Sequence, residues 1–340
     1  MRLGKTSVAT TWLVTAAIAL ACENKEPSDK PANSARPTAV CGRPVRVVSV
    51  AMHGKGLERT AAAIDRAGAE GADVILMTEA WQGFGKISSL DDEAMTRIAG
   101  LAKKHRTYIV SPIYRREGDV VYNSAVLFDR QGKVAGFYNK VFPVMDDPPG
   151  VNCEFPKGVK GRPGKDVVVF DTDFGRLGIA ICFDGQFPEV WQRLADKGAQ
   201  LVLFASAYSG GRTLGAYATL YHYYIVSSCC SGECQAYDTT GERLLDERRG
   251  VSRITLDLDR RMIHNNDSYN YRGQEKRLLA ENPGVIVDKR DEREDWHVLR
   301  AVEPGVDLPA LLKKYDVQLL REYMNKQRQK TDALREKIVD

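Results

Sequence analysis

A chain of 340 residues with 43% hydrophobic residues can bury a full core, and 49 basic against 45 acidic residues leave a net charge of only +4. That near balance, with no arginine-rich stripe interleaved with aromatics, argues against a nucleic-acid-binding surface. The length suits two domains, and a single large α/β sandwich fits it as well.

At the start of the chain, Arg2 and Lys5 precede the uncharged run TSVATTWLVTAAIALA, and Cys22 follows. A short basic start, an apolar run and small residues at a cleavage point predict an export signal over 1–21, not a spanning helix. Two cuts fit. IALAC resembles a bacterial lipoprotein signal, in which Cys22 is lipidated, while Ala19-Leu20-Ala21 also suits ordinary signal cleavage. Either way the protein is expected to be exported. The next stretch, ENKEPSDKPANSARPT, is too poor in apolar residues to order itself, so 22–44 reads as a linker.

From Arg46 onward strands and helices alternate. VRVVSVAM predicts a strand, LERTAAAIDRAGAE a helix stopped by Gly71, and ADVILM a buried strand ending at Thr78-Glu79. MTRIAGLAKKH reads as the next helix. YIVSPIYRR and YNSAVLFD are strands around the turn Glu117-Gly118-Asp119, and KVAGFYNK is a strand ending in Lys140. VVVF, the turn DTDFG and RLGIAIC form a hairpin. FPEVWQRLADK is a helix with Pro188 near its first turn, stopped by Gly198. SGGR at 209–212 reads as an ordinary loop, and 113–123, 144–165 and 207–217 as pocket-lining loops.

The core closes on SRITLDLD, so it spans 45–259 and leaves 260–340 as a helical extension. There KRDEREDWHVLR is highly charged. LPALLKKYDVQLLREYMNKQ sets Leu312, Tyr315, Leu319 and Tyr323 on one helical face, which would dock on the core or on a partner subunit.

EGADVILMTEAW at 70–81 aligns without gaps to KGAQLVLFASAY at 197–208. Two readings stay open. One is a chance likeness, since helix–strand junctions recur in α/β folds. The other is a duplication, which would put Glu79 and Ser206 at equivalent strand ends.

Glu79, Lys140 and Cys182 each end an apolar strand, where side chains leave the sheet for the loops that build α/β active sites. Singly, each has a bland reading: a solvated charge for Glu79 and Lys140, a buried thiol for Cys182. A fourth group narrows the choice. Glu154 is the only glutamate between Lys140 and Cys182, and it lies in the loop VNCEFPKGVKG, whose glycines and proline suit a path folded back over a site. Neither HExxH nor a Cys–His pair offers rival chemistry.

Together these residues resemble the nitrilase, or carbon–nitrogen hydrolase, superfamily over about residues 46–259. GADVILMTEAW, GFYNKVFP and FGRLGIAICFDGQFPE stand in that family's Glu–Lys–Cys order, with a second glutamate between lysine and cysteine. The resemblance implies an αββα sandwich that pairs into a homodimer or higher homo-oligomer. It implies Cys182 as nucleophile, Glu79 as base, Lys140 as oxyanion stabiliser and Glu154 as supporting acid. Phe183, Ser206 and Tyr208 are expected to touch substrate. The implied activity is hydrolysis of a small-molecule amide or nitrile, with no cofactor and no metal. An N-acyltransferase using the same thioester and a silent surface-anchored binding protein are the alternatives. Three positions depart from the family pattern: Thr78 where proline is usual, Gln186 where arginine is frequent, and CCSGEC after IVSS where asparagine is frequent.

Setting Cys22 aside, six cysteines remain: Cys41, Cys153, Cys182, Cys229, Cys230 and Cys234. An exported compartment permits disulfides, so the Cys229/Cys230/Cys234 cluster suggests a structural disulfide with a buried thiol. A zinc site is the weaker reading, because His222 and His264 lack ligand spacing.

Overall fold

The computed structural model describes residues 41–145, 154–265 and 271–338. The export signal, Cys22, the linker as far as residue 40, Asp146, Asp147 and Cys153 lie outside the described residues.

The first half runs β1 (Pro44–Val50), α1 (Leu57–Ala69), β2 (Val74–Met77), β3 (Ile87–Ser88), α2 (Glu93–His105), β4 (Tyr108–Glu117), β5 (Val120–Phe128) and β6 (Val134–Asn139). The second half runs β7 (Val169–Thr172), β8 (Gly175–Ile181), a 3-10 turn (Cys182–Gln186), α3 (Pro188–Asp196), β9 (Leu201–Ser206), α4 (Gly211–Tyr221), β10 (Tyr224–Cys229), β11 (Glu233–Tyr237), β12 (Arg243–Arg248) and β13 (Val251–Asp257). These strands form two sheets, ordered β13-β1-β2-β4-β5-β6, with β3 beside β4, and β12-β11-β10-β9-β8-β7.

Burial sets the layers. Val47, Leu76 and Val110 of the first sheet share one core with Ile179, Leu203 and Val226 of the second, so the sheets face each other. The alternate residues Val48, Ile75 and Ile109 point the other way and pack on Ile64 of α1 and Ile98 of α2. Ala180, Val202 and Ile225 pack outward on Trp191 and Leu194 of α3 and Leu214 of α4. Period-two alternation on strands buried on both faces thus yields the expected αββα sandwich.

The two similar stretches of sequence occupy matching places. β2 is the middle strand of a parallel triplet with β1 and β4, and β9 is the middle of a parallel triplet with β10 and β8. Their carboxyl ends therefore come out at the same edge of the sandwich.

Two sequence expectations need correction. The extension is not simply helical: it holds β14 (Arg261–His264), α5 (Tyr271–Glu281), β15 (Val285–Asp291), β16 (Trp296–Ala301), α6 (Leu308–Lys314) and α7 (Leu320–Arg335), with a sheet ordered β14-β16-β15. The charged run KRDEREDWHVLR is the tip and return strand of a hairpin, in which Val285, His297, Val298, Leu299 and Ala301 go inside. The predicted single stripe is also broken. Asp316 turns left-handed (φ 55°) and Leu319 bridges to Ile263, which ends α6 and starts α7 afresh. Leu312 and Tyr315 do go inside, into the extension's own core with Leu278 and Leu299.

The pocket-loop reading changes too. Residues 211–217 are the start of α4, and 113–123 are the ends of β4 and β5 with their two-residue turn.

Candidate active site

Cys182 stands where β8 cannot continue. Ile181 is extended, but Cys182 adopts φ 45°, a left-handed conformation that residues with a Cβ avoid. Asp184 explains how it is held. Its fully buried carboxylate accepts from the Ile181 N–H (2.9 Å), the Phe142 N–H (2.9 Å) and the Tyr138 hydroxyl (2.6 Å). Burial pushes the Asp184 pKa up, and these three donors oppose that rise. The same carboxylate therefore fixes the elbow and ties it to the segment that carries Lys140. Pro188 then opens α3, and the Trp191 indole donates to the Asp184 carbonyl (3.1 Å). Gly185 allows close approach: a Cβ there would lie 2.4 Å from the Tyr208 hydroxyl.

Glu79 leaves β2 into the same edge and is buried. Its Oε1 accepts from Asn123 Nδ2 (2.8 Å) and Lys140 Nζ (3.1 Å), and its Oε2 from the Ala207 N–H (2.9 Å). Lys140, just past β6, also donates to Glu154 Oε2 (2.6 Å). Burial alone would lower the Lys140 pKa, but the flanking carboxylates outweigh it and raise it. Burial raises the Glu154 pKa against the pull of Lys140. The loop bearing Glu154 is sewn down by backbone bonds: Glu154 N–H to Val144 O (3.0 Å) and Gly164 N–H to Lys140 O (2.7 Å).

The Cys182 thiol interacts with both the Glu79 carboxylate and the Ala207 N–H. Burial pushes its pKa up to about 12, with Glu79 adding to the rise, while Lys140 and the Ala207 N–H oppose it. At neutral pH the resting sulfur thus keeps its proton, and the proton has a carboxylate beside it to go to. Glu79, Lys140, Glu154 and Cys182 form one connected cluster, from four separate places in the chain.

The three residues expected to touch substrate divide. Phe183 is 37% exposed beside Cys182, with its ring edge-on to Phe187 at 5.3 Å. Tyr208 lies over the elbow, its hydroxyl accepting from Gln186 Nε2 (3.0 Å). Ser206 is completely buried and its hydroxyl accepts from the Tyr208 N–H (3.0 Å), so it braces the loop from beneath.

Sequence reasoning missed Asn123, Tyr138, Asp184 and Ala207. Asn123 and Asp184 gave a signal, being polar residues in otherwise apolar runs. Ala207 gave none, since its N–H is its contribution. Tyr114, buried on β4, is a fifth: its pKa is raised by burial first and then by the charges of Glu79 and Glu154.

The cysteine cluster does not form the expected bridge. Cys229 is a buried thiol donating to the Tyr208 carbonyl (3.3 Å), and Cys234 is a buried thiol in the core between the sheets. The two stand on β10 and β11 as separate side chains of a packed core, where a thiol behaves as a small apolar group. Cys230 packs its sulfur 3.4 Å from Thr78 Oγ1 and 3.6 Å from the Glu79 carbonyl, at the back of the catalytic edge. Among the described residues no group of three His, Cys, Asp or Glu side chains is placed to hold a metal.

The sandwich and this cluster define a class. Residues 38–260 match the model of the carbon–nitrogen hydrolase family, and the chain belongs to that family. Among curated proteins it is similar to an omega-amidase of Danio rerio, 28% identical over 161 residues, covering 45% of this chain and 58% of the relative. It is also similar to a beta-ureidopropionase of Arabidopsis thaliana, 29% identical over 161 residues, covering 43% of this chain and 38% of the relative. The matches thus span about half the length of these relatives or somewhat more or less. The fold is shared with an amidase from Nesterenkonia sp., TM-score 0.55 at 22% identity, over 66% of this chain and 93% of that one. A variant of that amidase carries the acetamide moiety of fluoroacetamide on its active-site cysteine.

Proposed function

We propose that the protein hydrolyses the carbon–nitrogen bond of a small amide through a thioester on Cys182. The observation that carries this reading is one buried carboxylate, Glu79, hydrogen-bonded to the Lys140 ammonium and to the Ala207 N–H and near enough to Cys182 to raise the pKa of its thiol. Because the thiol is protonated at rest, attack and proton transfer are coupled: sulfur adds to the carbonyl carbon as Glu79 takes the thiol proton. Lys140 and the backbone N–H after Cys182 stabilise the oxyanion. Glu79 returns the proton to the departing nitrogen, the C–N bond breaks, and the thioester remains. Water then adds with Glu79 as base, and the acid leaves as the thiol is restored. Glu154 holds Lys140 in place throughout, and Asn123 orients Glu79. Phe183 and Tyr208 flank the nucleophile, which suits an acyl group with apolar surface.

The amidase and ureidopropionase relatives support an amide or ureide over a peptide. A panel of amides, ureides and nitriles offered to the exported form of the chain tests the reading. Turnover is expected with at least one and is expected to vanish in Cys182→Ala; wild-type turnover in that variant would sink it. Fluoroacetamide is expected to alkylate Cys182, the sulfur displacing fluoride and keeping one acetamide moiety, seen by peptide mass. Product analysis with added hydroxylamine separates hydrolysis from acyl transfer. Export and lipidation of Cys22 rest on the sequence of 1–22, and metabolic labelling with palmitate in a bacterial host checks them. Homodimerisation is part of the same proposal and is read by light scattering.

A further inference from the structure

A cavity of about 410 Å³ lies between the sandwich and the extension. It opens at the strand ends opposite Cys182: Arg176 is the second residue of β8, Gln200 precedes β9 and Tyr224 begins β10. Its walls carry Arg176, Arg260, Arg261 and Arg321 against Asp196 and Glu322.

Three of these arginines have carboxylate partners. Arg176 pairs with Asp171 (3.1 Å), Arg261 with Asp259 (3.0 Å), and Arg260 with Asp238 (3.1 Å) and Asp288 (2.6 Å). Arg321 is different. It donates from Nη1 to the Ala199 carbonyl (2.9 Å) and from Nη2 to the carbonyls of His222 (2.7 Å) and Tyr221. Among the described residues no carboxylate lies within ion-pair distance of it, and Asp196 on the same wall is taken by Arg328 (3.3 Å). The carbonyls at the end of α4 carry only partial charge. Three of the five guanidinium N–H groups are engaged, which leaves two donors; the cation lies over the Tyr223 ring (5.5 Å) and feels Asp196 and Glu322 only at longer range.

The surroundings show the same lack. Arg260 Nε and His222 Nδ1 are buried in the wall without a hydrogen-bond partner. Burial pushes the Arg321 pKa down to about 10, so its cation is held at a disadvantage there. Burial, and then Arg321, push His222 down to about 4, so it is neutral and brings no second charge. Leu258, Met262 and Leu319 give the lining an apolar part beside the polar Gln200 and Thr239.

We infer that this cavity binds a small carboxylate, with Arg321 as its counter-ion. One cation without an ion-pair contact and a partly apolar lining suit an acid with a carbon chain better than a phosphate dianion. Asn325, which also lines the cavity, is one helical turn beyond Arg321 on α7 and can add a hydrogen bond. The site is independent of the chemistry at Cys182.

Calorimetry on the full chain in a Cys182→Ala background, with butyrate, succinate, inorganic phosphate and butyramide as probes, tests this. Butyrate or succinate is expected to bind saturably, and phosphate and butyramide are not. Asn325→Asp places a carboxylate at i+4 from Arg321; it is expected to weaken acid binding at least tenfold and to raise the melting temperature. Arg321→Met is expected to abolish binding, and if that variant loses its docked extension, Asn325→Asp decides alone. Acid binding unchanged in Asn325→Asp, equal binding of phosphate, or no saturable binding by either acid at millimolar concentration would each overturn the inference.

Discussion

The carboxyl ends of β2 and β9 occupy equivalent places in the two sheets and meet at one edge: Thr78 Oγ1 donates to the Ser206 carbonyl (3.2 Å), and the Ala207 N–H donates to Glu79 Oε2 (2.9 Å). One end delivers a buried carboxylate. The other delivers a backbone donor, with a buried hydroxyl bracing the loop that carries it. Equal architecture thus holds opposite polarity, and the residue at each end, not the strand, decides the chemistry. A sandwich offers such paired ends wherever parallel triplets face each other.

Unequal damage at the two ends is the way to break this comparison. Glu79→Gln keeps the size and removes the base, so kcat should fall about 10²–10⁴-fold in steady-state assays. Lys140→Met should cost about 10²–10³-fold in kcat. It also leaves Glu79 and Glu154 buried without their cation, so denaturant melts should show a loss of about 3–5 kcal/mol. Asp184→Asn turns an acceptor toward the Ile181 N–H into a donor and shifts the elbow. Misplacement of this kind costs about 10²-fold, expected in kcat with KM nearly unchanged, and Tyr138→Phe should do less because two of the three bonds survive. Ser206→Ala, at the bracing end, should cost only about 1 kcal/mol of stability and a few-fold in rate. A loss at Ser206 as large as at Glu79 would refute the division of labour.

The smallest effect concerns protonation. With its folded-state pKa raised to about 12, Cys182 stays a thiol where an ordinary one titrates near ~8.5. Thiolate absorbance at 240 nm should therefore not differ between wild type and Cys182→Ala up to pH 10. A difference that appears by pH 9 would show a pre-formed thiolate and a different role for Glu79.

The sandwich was legible because its strands are buried on both faces and its helices are strongly periodic. Glu79, Lys140 and Cys182 were legible because polar residues closed apolar runs, and Glu154 because it was solitary. What sequence could not give is tertiary in origin. The hairpin of β15 and β16 hid in KRDEREDWHVLR because its buried residues are the short run His297–Leu299, too brief beside so many charges to show a strand period. The break between α6 and α7 hid because Leu312, Tyr315, Leu319 and Tyr323 keep helical spacing across it. It is pairing of Leu319 with Ile263 that stops the helix there. The bracing role of Ser206 was not legible because aligning it with Glu79 matches strand ends without saying which way the side chain turns.

The Ala207 N–H serves both the base and the sulfur, and that has a consequence for how such a site tolerates change. The side chain of Ala207 is exposed and contributes nothing to the contact. Glycine, serine or a larger residue there would leave the donor untouched, so the position can drift freely while its function stays fixed. An alanine scan, which deletes side chains, passes over it altogether. Only proline, which removes the N–H itself, would expose it, making Ala207→Pro a lesion at the catalytic centre that looks from the outside like a change in a surface loop.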